Sequence, residues 1–222
     1  MRTRGLRWTQ ADGKVRVEVQ AGEAWDDVEA QAVLRNAAGI ECLSGIPGTV
    51  GAAPVQNIGA YGQEVAETIL GIRVLDRDTF EERNLSPPDC EFGYRTSLFK
   101  HERRRFAILF VTLGLVAGGR PALRYAELAA AFSGNAEPSL ADVRQTVLAV
   151  RRKKSMVLDE TDPNRRSAGS FFTNPVVSAT IVDPFCGWGT VLAVANTLGL
   201  DAVGVDLSAR MCRASNGGAA GA

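Results

Sequence analysis

From Lys14 onward, Val15, Val17 and Val19 alternate with Arg16, Glu18 and Gln20. A period of two sets one face of a strand on a core and the other in water. Gly22 closes that strand. Trp25, Val28, Ala32 and Val33 then recur at helical spacing through Asn36, before Ala38-Gly39 ends the run. Residues 43–62 read differently: Gly45, Gly48, Gly51, Gly59 and Gly62, with Pro47 and Pro54, exclude a regular helix and predict an extended, turn-rich segment. Further strands are expected at 68–76 and 106–115, with the Pro87-Pro88 pair and the basic cluster around Arg104 as connections. Ser139 and Asp142 form an S-x-x-D start signal for a helix lined by Val143, Val147 and Val150, and Arg151 to Lys154 lie near its negative C-terminal end. This mixture of strands and helices predicts an α+β fold, and a change in composition sets a boundary near Ala179.

Composition narrows the function classes. The chain of 222 residues, 45% hydrophobic, can build a real core. Its 25 Lys and Arg balance 25 Asp and Glu, so no net field points to nucleic acid or an anionic membrane surface, and a phosphate-bearing ligand must be held by local groups. Cys42, Cys90, Cys186 and Cys212 show neither CxxC spacing nor a neighbouring histidine, which indicates no metal site and no disulfide framework; reduced thiols in the cytoplasm are expected. Neither a long apolar span nor a charged-then-apolar leader is seen. His101, the only histidine, sits in the charged stretch Lys100 to Arg105 and reads as a solvated loop residue, which argues against Ser-His-Asp chemistry.

Five glycines within the 18 residues from Gly45 to Gly62 let the backbone approach a ligand and turn N–H groups toward anionic oxygens, as a pyrophosphate-containing cofactor requires. The spacing Gly45-Ile-Pro-Gly48-Thr-Val-Gly51 is not G-x-G-x-x-G, so on spacing alone a plain surface turn is the stronger reading. The full run Gly45-Ile-Pro-Gly-Thr-Val-Gly-Ala-Ala-Pro-Val-Gln-Asn-Ile-Gly-Ala-Tyr-Gly62 closely resembles the flavin-binding loop of the UDP-N-acetylenolpyruvoylglucosamine reductase (UDP-N-acetylmuramate dehydrogenase) family. Two further stretches, Phe92-Gly-Tyr-Arg-Thr-Ser-Leu-Phe-Lys100 and Ser167-Ala-Gly-Ser-Phe-Phe-Thr-Asn-Pro175, match the same family in the expected order, and the resemblance covers residues 8–178.

The resemblance implies an FAD-binding domain over 1–155, with its N-terminal unit missing, and the start of a substrate-binding domain over 156–179. It further implies a cytoplasmic enzyme of peptidoglycan precursor synthesis that passes a hydride from NADPH to FAD and on to the enolpyruvyl double bond of a UDP-sugar. Gly45, Ile46, Pro47, Gly48, Thr49, Gly51, Ala52, Gln56, Asn57, Gly59, Ala60 and Tyr61 are the implied cofactor contacts. An enolate-like intermediate needs a cation at its carboxylate and an acid on one face. Arg95 suits the first task through its planar guanidinium, and Ser170 matches the family's proton donor; taken alone, Arg95 reads as a surface ion-pair residue and Ser170 as a turn or cap serine. Phe171 and Phe172 read as core residues. Tyr125, Lys154 and Asn174 fall where the family holds the UDP-sugar, and Tyr94 beside Arg95 is expected to help order the site. On their own, Lys154 is equally a helix C-terminal charge and Tyr125 a core aromatic with its hydroxyl at the surface.

The chain departs from the family at both ends. Residues 1–13 hold no match to the G-x-G-S-N-type loop that grips the FAD pyrophosphate, and no residue matches the family's C-terminal catalytic glutamate. Over 180–222 a different pattern is expected: a strand, the turn Gly187-Trp-Gly189, an apolar helix through Leu198, a strand Ala202–Val205 and Asp206, followed by a flexible tail. That α/β fragment is similar to the first S-adenosylmethionine-binding motif of methyltransferases. A methyltransferase fragment and a non-catalytic remnant therefore stand beside the reductase reading.

Overall fold

The computed structural model describes residues 3–133, 137–157, 159–164, 180–183 and 201–204, the last two stretches by their backbone only. The chain divides into two compact units, Met1–Ser167 and Ala168–Ala222.

The first unit is built on an antiparallel sheet. β1 (Leu6–Ala11), β2 (Lys14–Gln20), α1 (Trp25–Leu34), β3 (Ala37–Ala38), β4 (Gly59–Ala60), β5 (Gln63–Glu64), β6 (Ile69–Asp76), β7 (Glu81–Leu85), α2 (Leu98–His101), β8 (Phe106–Ala117), α3 (Ala126–Ala131) and α4 (Leu140–Lys153) follow in order. The main sheet runs β1-β2-β8-β6-β7, with β3 added beside the end of β8, while β4 and β5 form a separate small hairpin. The alternation in β2 is realised as expected: Val15, Val17 and Val19 are buried and Lys14 and Arg16 are exposed. β8 pairs with β2 on one side, Val17 opposite Leu113, and with β6 on the other, Ile72 opposite Val111. Each fully buried aliphatic side chain in this layer contributes roughly 1.5–3 kcal/mol.

β1 goes beyond the elements expected from the sequence. It joins β2 through Asp12 and Gly13, whose φ values of 50° and 72° make the left-handed pair that a tight hairpin turn requires. α1 is confirmed but ends at Leu34, two residues short of Asn36, because Asn36 takes the left-handed conformation (φ 51°) that closes a helix. Trp25, Val28 and Ala32 bury the helix against the sheet, and the Trp25 indole donates to the Leu43 carbonyl at 3.1 Å.

α4 starts as its signal predicted. The Ser139 hydroxyl accepts from the Asp142 N–H at 3.1 Å, and the Asp142 carboxylate accepts from the Ser139 N–H at 2.9 Å. Val143 and Val147 are buried with Cys42 and Leu128 in a smaller apolar cluster; Val150 is half-buried. α4 is tied to α1 by Arg144, which grips Asp26 with two hydrogen bonds of 2.8 Å and also pairs with the fully buried Glu29.

In the second unit, β9 (Thr180–Asp183) and β10 (Asp201–Gly204) pair in parallel, Val182 opposite Val203. Two strands are expected in this stretch from the sequence, and both form. Gly187, Gly189, the helix through Leu198 and Asp206 lie outside the described residues. No helix among the described residues is long and apolar enough to cross a membrane.

Arg144→Met strands one buried carboxylate and one half-buried one, and is expected to lower unfolding free energy by about 3 kcal/mol. The double variant with Glu29→Met should regain most of the loss; urea denaturation reads both. Burial raises the Asp26 carboxyl, but the hydrogen bonds from Arg144 and the Gly45 N–H, with the charges of Arg144 and Arg151, outweigh it and leave the pKa below the ordinary aspartate value. The Asp26 contribution is therefore complete at neutral pH, and is lost as pH falls below the ordinary aspartate pKa and through the depressed folded value.

Candidate cofactor and substrate site

The glycine-rich segment is anchored from behind. Val50, Ala53 and Ile58 enter the main core, and Ile46 packs against it. Backbone bonds hold its first half to the end of β2 and the start of α1: Trp25 N–H to Gly48 O at 3.1 Å, Val50 N–H to Glu23 O and Gly51 N–H to Ala21 O, each at 2.9 Å. Gly45 is buried, with φ +70°. Its N–H reaches Asp26 at 2.6 Å, its carbonyl accepts from Arg151 at 3.2 Å, and an added Cβ would stand 2.7 Å from Leu148. Gly45 and Ile46 thus face the interior. Pro47, Gly48, Thr49, Ala52 and Gln56 are exposed, and a Cβ on Gly48 would meet nothing within 4 Å.

That outward side borders an open cleft of about 780 Å³. Thr49, Gly51, Ala52 and Gln56 form one wall, Phe106, Ala107 and Ile108 of β8 add apolar surface, and Arg77, Lys100 and Arg103 bring three cations. Apolar surface with a few convergent charged groups is the usual make-up of a cofactor site. Of the cations, Lys100 and Arg103 belong to the charged stretch singled out in the sequence, there read as a connection, and Arg77 belongs to none. Arg103 lies three residues beyond Lys100 on the same connection, its Nε donating to the Lys100 carbonyl at 3.2 Å, whereas Arg77 is brought to them by the pairing of β6 with β8, which no local sequence signal specifies.

The Phe92–Lys100 stretch docks on the second half of the loop. Arg95, with φ 53°, donates from Nη1 to the Asn57 carbonyl at 3.2 Å and from Nη2 to the Gly59 carbonyl at 2.6 Å. Its guanidinium lies 5.2 Å from the centre of the Tyr94 ring, and Tyr94 is half exposed. Asn57 is buried: its amide donates to Glu64 at 2.7 Å and to the Gly93 carbonyl at 3.0 Å, and its Oδ1 accepts from the Ala66 N–H at 3.1 Å. Asn57 and Arg95 therefore knit two of the three motif stretches together.

The turn of the β4–β5 hairpin gathers the other expected residues. Tyr61, φ 49°, meets Tyr125 edge-to-face with ring centres 5.6 Å apart. Lys154 pairs with Glu127 at 3.4 Å, and Arg124 with Glu67 at 2.9 Å. Burial raises the Tyr61 phenol above its ordinary pKa against the opposing charges of Lys154 and Arg151, while burial lowers Arg151. Tyr61, Tyr125 and Lys154 are thus brought together at one end of the hairpin, with Ala60 beside Tyr61 and Arg95 at the other end. Ser170 and Asn174 lie outside the described residues.

A buried polar knot behind this site had no sequence signal. Glu41 accepts from the Gly39 N–H at 2.7 Å, the Gln63 amide at 2.8 Å and the Ala122 N–H at 2.9 Å, and Gln63 in turn accepts from the Cys42 N–H at 2.8 Å. The Cys42 thiol is pushed up to about 12, by burial first and then by the charge of Glu41, so it stays a protonated, unreactive thiol at neutral pH.

Fold and cleft together fit a flavin-nucleotide binder, and residues 3–79 match the family model described as an FAD binding domain. UDP-N-acetylenolpyruvoylglucosamine reductase of Thermobifida fusca is 49% identical over 179 residues, 78% of this chain and 50% of that protein. The protein of the same name from Mycobacterium sp. (strain MCS) is 53% identical over 175 residues, 77% of this chain and 49% of that protein. The crystal structure of UDP-N-acetylenolpyruvylglucosamine reductase from Thermus caldophilus shares the fold with a TM-score of 0.51 at 23% identity, covering 71% of this chain and 48% of that one. Along the aligned stretch the chain is related to the UDP-N-acetylenolpyruvoylglucosamine reductase family and carries that family's type of FAD-binding domain. It spans about half the length of the curated relatives it matches.

Proposed function

We propose that the chain serves the reaction for which its relatives are named, the NADPH-dependent reduction of UDP-N-acetylglucosamine enolpyruvate to UDP-N-acetylmuramate in peptidoglycan precursor synthesis, in a cytoplasmic setting. The observation that carries this reading is the cleft in which the outward side of the glycine-rich loop, apolar β8 and three cations converge. These surfaces fit FAD: the cations suit its diphosphate, the β8 side chains suit its rings, and Gly48, next to the cleft's Thr49, leaves open space for close backbone approach. When bound, FAD supplies the two-electron relay between NADPH and the enolpyruvyl double bond.

In this reading Pro47, Gly48, Thr49, Gly51, Ala52 and Gln56 touch the cofactor, while Gly45, Ile46 and Asn57 hold the loop's shape. Gly59, Ala60 and Tyr61 carry the hairpin that joins Arg95 to the Tyr125–Lys154 end. Arg95 supplies positive charge where the enolate carboxylate develops, and Ser170 donates the proton that completes the reduction. Tyr125, Lys154 and Asn174 hold the UDP diphosphate, with Tyr94 ordering the region around Arg95. Residues 1–155 serve as the FAD-binding part and 156–179 as the start of the substrate-binding part, while 180–222 retain the methyltransferase-like pattern. The methyltransferase reading has weaker support, since the relatives matched over most of the chain are reductases.

Titration of FAD against the purified chain, read by quenching of flavin fluorescence, should saturate at one equivalent. Reversing two cleft charges, with Arg77→Glu and Arg103→Glu together, should weaken the affinity by about tenfold, less at high salt. A titration that shows no binding contradicts the proposal. Ser170→Ala is expected to leave reduction of bound FAD by NADPH unchanged while slowing UDP-sugar reduction by about a hundredfold or more. Equal losses in both half-reactions would contradict a proton-donor role.

A further inference from the structure

Glu64 sits on β5 with its two carboxylate oxygens divided between two partners. Oε2 accepts from the Asn57 amide at 2.7 Å, and Oε1 lies 3.5 Å from Nη1 of Arg95. Arg95 in turn donates to the carbonyls of Asn57 and Gly59, so carboxylate, amide and guanidinium close a ring around the last turn of the loop. The ring needs the glycine at 59: a Cβ there would stand 2.5 Å from Nη1 of Arg95. The guanidinium occupies the space that this missing side chain leaves, and it reaches the Asn57 carbonyl from 38 residues along the chain.

Both side chains are about a quarter to a third exposed, 26% for Arg95 and 35% for Glu64. A half-buried guanidinium is drawn toward water unless a counter-charge keeps it in place. Glu64 is that counter-charge, and it also orients the amide that shapes the loop.

We infer that Glu64 is a positioning residue for cofactor binding, holding Arg95 against the loop carbonyls so that the loop keeps its flavin-accepting shape. The inference rests on the reading of this loop as the FAD contact. A neutral glutamine cannot replace the carboxylate. Its single oxygen can accept from Asn57 or face Arg95, and its NH2 then confronts the other donor. Aspartate keeps the charge with a shorter reach.

The test uses the full chain with Glu64→Gln, Glu64→Asp, Arg95→Met and the Glu64→Gln/Arg95→Met pair. FAD affinity is read by fluorescence quenching, the visible flavin band by absorption, and folding by thermal unfolding. Glu64→Gln should weaken FAD about fivefold, and Arg95→Met about tenfold, with the flavin band displaced in the same direction in both. Glu64→Asp should recover part of the affinity. The pair should bind no more weakly than Arg95→Met alone, because Glu64 acts through Arg95. An unchanged affinity in Glu64→Gln, or losses that multiply in the pair, overturns the inference. A wild-type chain that takes up no FAD overturns instead the reading of the loop. The ring itself is then decided by thermal unfolding: melting-temperature shifts that fail to add support the Glu64–Arg95 link, and additive shifts overturn it.

Discussion

The glycine-rich loop is held by the burial of Val50, Ala53 and Ile58 in the same core as the valines of β2 and the leucines of β8. A segment so rich in glycine loses much conformational freedom on ordering, a cost that turn-type backbone bonds of modest net worth offset only in part. Apolar anchors placed between the glycines supply the difference. They also decide direction: with these three side chains turned inward, Pro47 to Thr49, Ala52 and Gln56 are left exposed, and Thr49, Ala52 and Gln56 line the cleft. Hydrophobic burial therefore both stabilises the segment and chooses the face it offers to a ligand.

Polar contacts refine what burial begins. Asp26 receives both the Gly45 N–H and Arg144, which fastens the first turn of the loop to α1 and α4 at once. Arg95 and Asn57 do the same for the last turn. Behind them Glu41 gathers N–H donors from Gly39, Gln63 and Ala122 and links the short helical turn after β3 to the hairpin and to the segment carrying Tyr125. A buried carboxylate left with fewer donors would destabilise the fold. Because these ties converge on the loop's two ends, its middle can stay open without becoming loose.

Local patterns made much of the fold legible. The alternation at Val15, Val17 and Val19, the helical spacing from Trp25 and the Ser139–Asp142 box each act within a few residues, and each element formed as expected. β1 lacks a strong signal because its alternation is confined to Leu6 and Trp8, after which Thr9, Gln10 and Ala11 are all exposed, and only Asp12-Gly13 marks its turn. The end of α1 moved because asparagine, rather than the later glycine, took the left-handed position. For the site, the resemblance picked out the residues but not what their side chains touch. Arg95 bonding to Asn57 and Gly59, Glu64 joining them, and Arg77 reaching the cleft beside Lys100 and Arg103 are long-range contacts set by the tertiary fold. Sequence spacing carries no information on such contacts.

Residue-resolved hydrogen exchange of the loop, with and without FAD, distinguishes a loop held in place by its own core contacts from one ordered only by the ligand. Amides bonded inward, those of Gly45, Val50, Gly51 and Ile58, should exchange slowly without any ligand. Adding FAD should then slow exchange at Gly48, Thr49 and Gln56, on the outward side. Rapid exchange throughout the free loop, or no change at the outward amides when FAD is added, would contradict a loop held from within and open to the cofactor.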